Sequence, residues 1–170
     1  MKSLIAVLAF AAMSAASAGA EVSMDAVTWQ KGRAERARVV WEDSAAVVDG
    51  PPKLDNRLRA RLTLKNRGPK PAEGILLRYS MTARISPADG AKAEGTWAIP
   101  FVVDEKRVPK IGPNSTLDVF LTTSPALELY LAKLSRAGWW PDRVKLQVMV
   151  EPHPGMTEIR SLESTLEVSK

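Results

Sequence analysis

The chain has 170 residues, 45% hydrophobic and 25% charged, with 10 Gly, 12 Pro and no Cys, a composition that excludes disorder and collagen-like repeats. Without cysteine there is no disulfide framework, no thiolate metal site and no cysteine nucleophile, and His153 is the one imidazole available for acid–base work. Lysine and arginine number 24 against 19 acidic residues, a formal net charge of +5.

The first twenty residues read as an export signal. Lys2 supplies the positive start, Leu4 to Met13 is an unbroken apolar run, and Ala18-Gly19-Ala20 places small residues where a signal peptidase cuts, with Ala16-Ser17-Ala18 as the alternative. The apolar run is shorter than the roughly 20 residues needed to span a bilayer, and no later segment reaches that length. Residues 1–20 are therefore expected to be a cleaved signal peptide and residues 21–170 a single secreted or periplasmic domain with no transmembrane segment. About 150 residues bury enough surface to fold without staples.

The rest reads as short alternating segments separated by Gly, Pro and Asn, the pattern of a β-sandwich or barrel. Val22, Met24 and Ala26 alternate at its start; Val27 with Trp29, and Ala37 and Val39 with Trp41, supply one or two strands. A long irregular loop is expected from Ser44 to Asp55, around Gly50-Pro51-Pro52. From Arg57 to Lys65 the alternation is clean: Leu58, Ala60, Leu62 and Leu64 face one way, and Arg57, Arg59, Arg61, Thr63 and Lys65 the other. Ile75, Leu77, Tyr79, Met81, Ala83 and Ile85 form the next inward row. Trp97, Ile99, Phe101 and Val103 suggest another, confined to an edge or bulge by Pro100. Leu117, Val119 and Leu121 follow the turn Gly112-Pro113-Asn114. Ser124 as N-cap, Pro125 at the first helical position and Gly138 as terminator predict a helix over about 125–137, with Leu127, Tyr130, Leu131 and Leu134 on one apolar face. Val144, Leu146, Val148 and Val150, and then Leu162, Ser164, Leu166 and Val168, give two closing strands.

The run from Arg57 to Ile85, with Lys65-Asn66-Arg67-Gly68, and the later Ile111-Gly112-Pro113-Asn114 resemble the core of bacterial immunoglobulin-like domains of the cell-adhesion-related (CARDB) and similar extracytoplasmic kinds, over about residues 57–122. The resemblance implies an all-β fold, an immunoglobulin-like antiparallel β-sandwich of about seven to eight strands with one inserted helix. It also implies a binding or spacer domain that is not an enzyme.

Catalytic signals are sparse. His153 sits in the turn sequence Pro152-His153-Pro154-Gly155 with no G-x-S-x-G elbow to anchor a triad. One histidine cannot form a zinc pair, and the carboxylates do not fall into calcium-loop spacing. Neither a catalytic residue nor a metal or other cofactor is expected.

Charge is the informative surface feature. Residues 31–65 hold nine basic positions (Lys31, Arg33, Arg36, Arg38, Lys53, Arg57, Arg59, Arg61, Lys65) against five acidic ones, and the rest of the chain after Lys2 is balanced. Arg57, Arg59, Arg61 and Lys65 share one strand face, a candidate contact for an anionic partner such as an envelope polymer or an envelope protein; the plainer reading is a solvated outer face. The export signal, and a sequence with no aromatic row interleaved among these arginines, argue against nucleic acid. Tyr130, Trp139 and Trp140 are a second candidate contact, in which one indole of the adjacent pair enters the core and the other does not. The leading expectation is an exported interaction or accessory protein of the bacterial envelope. Two others stay open: a subunit of a surface fibre assembling by strand addition through Val22, Met24 and Ala26, and a hydrolase on a β-sandwich.

Overall fold

The computed structural model describes residues 20–49, 57–89, 94–99, 102–151 and 159–170. Most of the expected signal segment, the Gly50-Pro51-Pro52 stretch, Pro100 with Phe101, and His153 lie outside them. In chain order the elements are β1 (Val22–Glu35), β2 (Arg38–Asp43), β3 (Ala46–Val48), β4 (Arg57–Asn66), β5 (Ala72–Pro87), β6 (Thr96–Trp97), β7 (Asp104–Ile111), β8 (Ser115–Thr122), α1 (Pro125–Arg136), β9 (Trp139–Val150) and β10 (Arg160–Ser169).

The strands form two sheets. One has the order β2-β1-β4-β8; the other runs β3-β10-β9-β5, with β6 and β7 both paired to the far side of β5. This is the immunoglobulin partition, in which β1, β4 and β8 share one sheet and β5, β9 and β10 the other; in chain order the described strands change sheet at β2–β3, β3–β4, β4–β5, β7–β8 and β8–β9. The pairings are antiparallel except for β3 with β10, where Val47 lies beside Val168.

The alternation that marked the strands is also what makes the core. Leu58, Ala60, Leu62 and Leu64 of β4 face Ile75, Leu77, Tyr79, Met81, Ala83 and Ile85 of β5 and Val144, Leu146, Val148 and Val150 of β9 in one buried cluster. Trp29 of β1 crosses between the sheets and donates its Nε1–H to Ser164 Oγ of β10 at 3.0 Å, so the indole is buried with its polar atom satisfied. In α1, Ser124 Oγ accepts from the Leu127 N–H at 3.2 Å, Pro125 opens the helix, and Gly138 follows it with φ +84°. The helix occupies the crossover from β8 to β9 and packs on β9; Leu127 and Leu131 are buried there. No helix among the described residues is long and apolar enough to cross a membrane.

Three expectations change. The expected strand from Trp97 to Val103 does not form as one piece: among the described residues there, strand pairing with β5 is limited to Thr96–Trp97, and Ile99 and Val103 are exposed outside any strand. The edge strand there is β7, hidden from pattern reading because it buries only Val108 and Ile111 among charged neighbours. Ala46–Val48, expected within a loop, is a short strand whose Val47 is buried. In β1 a bulge after Met24 shifts the register, so Val27 and not Ala26 continues toward the other sheet and Ala26 is exposed.

Asn66 shows why the turn after β4 needs its residue type. It is fully buried. Its Oδ1 accepts from the Glu21 and Gly68 N–H groups at 3.1 and 3.0 Å, and its Nδ2 donates to the Lys70 and Gly112 carbonyls at 2.7 and 3.0 Å. One amide thus ties together the start of β1, its own turn and the turn between β7 and β8.

Candidate functional site

The outer face of the four-stranded sheet carries the basic row of β4. Pairing fixes its neighbours: Gln30 of β1 stands beside Arg59, Thr28 beside Arg61, Phe120 of β8 beside Arg61 on the other side, and Trp41 of β2 beside Gly32. The Arg59 guanidinium is clamped between two rings, with Cζ 4.0 Å from the Trp41 ring centroid and 4.1 Å from that of Phe120. Each contact is a cation–π interaction of about 0.5–1 kcal/mol at an exposed site. The Arg59 Nε–H donates to Gln30 Oε1 at 2.7 Å, Gln30 Nε2 donates to Asp43 Oδ1 at 2.6 Å, and Arg61 donates to Asp43 Oδ2 at 2.8 Å. Burial between the rings, with Arg61 alongside, lowers the Arg59 pKa from its ordinary value; a guanidinium nevertheless stays charged at neutral pH.

The four basic candidates therefore differ in state. Arg59 is oriented by two aromatic rings and an amide, and Arg61 is neutralised by Asp43. Arg57 and Lys65, at the two ends of the strand, have no ion pair among the described residues. The premise that no aromatic residues interleave with these arginines is corrected: Trp41 and Phe120 come from strands far away in sequence and meet Arg59 only through the register of β2 and β8. Pattern reading missed both. The one local signal was Gly32 inside an alternating segment, which marks a close approach. A Cβ built on Gly32 would lie 2.8 Å from Trp41 Cζ3 and from Val39 Cγ1, so the indole lies flat over the glycine and reaches Arg59.

The six-stranded sheet presents a different outer face. Arg78 pairs with Glu105 and Glu151, Arg84 with Asp142, Arg143 with Glu167 and Lys145 with Glu163. The Arg84–Asp142 pair is bidentate, at 2.8 and 2.9 Å, and sits at the irregular register between β5 and β9; bonding to Asp142 raises the Arg84 pKa. This face is laced with opposite charges and suits solvation.

Of the aromatic candidates, Trp139 and Trp140 open β9 of that second sheet and Tyr130 lies on α1. Trp140 is 1% exposed and Trp139 44% exposed, as neighbouring residues in an extended strand point to opposite sides. The Trp140 indole N–H has no hydrogen-bond partner among the described residues. Tyr130 is partly buried against the core. The structure thus keeps Trp139 apart from the basic row, in a different sheet.

No family model matches the chain, and no curated protein matches it. Solved structures give distant likenesses. A β-glucosidase from Erythrobacter marinus aligns with a TM-score of 0.38 and 12% identity, over 88% of this chain and 15% of that one. A β-glucosidase involved in saponin metabolism from intestinal bacteria aligns with a TM-score of 0.37 and 12% identity, over 86% and 16%. A protein from Archaeoglobus fulgidus aligns with a TM-score of 0.36 and 13% identity, over 85% and 97%. The chain thus spans about 15% of the length of the two glucosidases, and nothing about its activity follows from them.

Proposed function

We propose that the chain is an exported, non-catalytic accessory or interaction protein of the bacterial envelope, which contacts an anionic envelope polymer through the outer face of its four-stranded sheet. The observation that carries this reading is the Arg59 guanidinium held between Trp41 and Phe120. A side chain already fixed by stacking loses less freedom on binding than a free arginine, and the flanking rings offer flat apolar surface beside the charge. Arg57 and Lys65 extend the cationic row over roughly 26 Å of strand, at about 3.3 Å per residue. A row of that length suits a repeating polyanion better than one small anion. On the opposite sheet Arg78, Arg84, Arg143 and Lys145 are each paired with a carboxylate, and among the described residues no arginine there is held between two rings. The resemblance of residues 57–122 to extracytoplasmic binding and spacer domains points the same way.

The test is co-sedimentation with anionic cell-wall polymer and, separately, with anionic lipid vesicles at low salt, where exposed charges are least screened. The Arg57→Gln, Lys65→Gln double variant, which leaves the stack and the core intact, should release the polymer. Equal retention of both proteins would reduce the face to a solvated surface, and binding to vesicles alone would replace the polymer with the membrane. For export, the intact mass of protein recovered from the host envelope should correspond to a chain starting at Glu21 or Gly19. A mass retaining Met1 to Met13 contradicts it.

A further inference from the structure

We infer that the β8 edge is a self-pairing edge, and that two copies of the chain join there across a two-fold axis into one continuous antiparallel sheet. The inference stands apart from the reading of the basic row. Edge strands expose unpaired N–H and C=O groups, and folded proteins blunt them by shortness, proline or charge. The other edges of this sandwich show such devices: β3 has three residues and β6 two, β7 (DEKRVPKI) carries Pro109 with three cations, and β2 (RVVWED) carries Arg38, Glu42 and Asp43. The β8 strand (STLDVFLT) has eight residues, no proline and one charge, Asp118. Among the described residues its only strand partner is β4, and the one other bond to its backbone is from the Tyr79 hydroxyl to the Thr122 carbonyl at its far end.

Side chains along this edge are also incomplete as packing groups. Leu117 belongs to the inward row, opposite Leu64, yet is 38% exposed while Val119 and Leu121 of the same row are buried. Phe120 is 41% exposed on the outer face.

The sequence of the edge favours a second copy as its occupant. A two-fold normal to the sheet keeps outward residues outward, so residues facing each other across the axis must lie on the same face. Centring the pair on Val119 opposes Leu117 to Leu121, Asp118 to Phe120 and Thr116 to Thr122 of the second copy. Leu121 then comes beside the half-covered Leu117, and threonines meet threonines, a favourable cross-strand pair. Moving the centre to Asp118 would set the two carboxylates against each other, and moving it to Phe120 would shorten the paired segment. The edge therefore has one preferred self-register, and the resulting interface is isologous and closes at two copies.

Sedimentation of the chain as recovered from the producing cell should show a concentration-dependent monomer–dimer equilibrium. Leu117→Lys, at an exposed position, should keep the wild-type circular dichroism and raise the dimer dissociation constant by about tenfold or more. Register is read with cysteines, since the chain has none of its own. In a mixture of Thr116→Cys and Thr122→Cys proteins, oxidation should join one variant to the other and neither to itself. A monomer at every concentration, a dimer untouched by Leu117→Lys, or self-linked variants would each overturn the proposal. So would an edge that stays monomeric and is filled only by an extended peptide from another protein.

Discussion

Gly32 and Trp41 face each other across the β1–β2 hairpin, and the indole occupies the space a side chain on Gly32 would need, with Cζ3 only 2.8 Å from the position of a Cβ. The glycine is required by this close approach. Gly32→Ala should push Trp41 out of its place over Arg59 and cost about 1–3 kcal/mol, as overpacking does. Urea unfolding followed by tryptophan fluorescence would show both effects together. An unchanged midpoint would mean that the indole has room to move aside.

Asn66 offers the sharpest stability test. Replacing it with alanine deletes an amide that serves two N–H groups and two close carbonyls. Buried groups left without partners cost about 1–3 kcal/mol each, partly offset where water enters, so a loss on the order of 2–4 kcal/mol is expected in denaturant titration. A loss below about 1 kcal/mol, the level of an ordinary surface substitution, would show that the turns hold without it.

The tryptophans next to α1 should behave oppositely. Trp140→Ala empties a buried site and should cost about 3–5 kcal/mol. Trp139→Ala, at a residue 44% exposed, should change stability by roughly 0.5 kcal/mol or less. Thermal melts of the two variants decide it, and equal losses would place both indoles in the core.

Alkaline pH should weaken the fold through Tyr79. Its burial, reinforced by the Asp104 carboxylate, raises the phenol pKa above its ordinary value, and the neutral phenol donates to the Thr122 carbonyl at 3.4 Å. The fold holds the neutral phenol, so above about pH 10 the unfolded chain loses this proton first. The unfolded state then binds fewer protons than the native one, and stability falls as pH rises until the native pKa is passed. Denaturant midpoints between about pH 9 and pH 11 should drop less steeply for Tyr79→Phe than for the wild type. Parallel slopes would assign the alkaline loss to other groups.

By itself the sequence determined the elements whose burial is periodic. β4, β5, β9 and α1 were legible because each buries one complete face, and solvent leaves the other face polar, so local spacing records which side is inward. The caps of α1 were legible for the same kind of local reason, Ser124, Pro125 and Gly138 each acting within one turn. β7 and β3 were not, since an edge strand or a three-residue strand buries too little to leave a pattern. Only the tertiary structure decided the clamp on Arg59: Trp41, Arg59 and Phe120 lie on three different strands, and their meeting depends on the registers of β1 with β2 and of β4 with β8. It also decided that Arg61 is neutralised by Asp43 while Arg57 and Lys65 are not paired with any described residue, because cross-strand partners are set by hydrogen-bonded register. Alternation tells a residue which face it takes and is silent about what stands beside it.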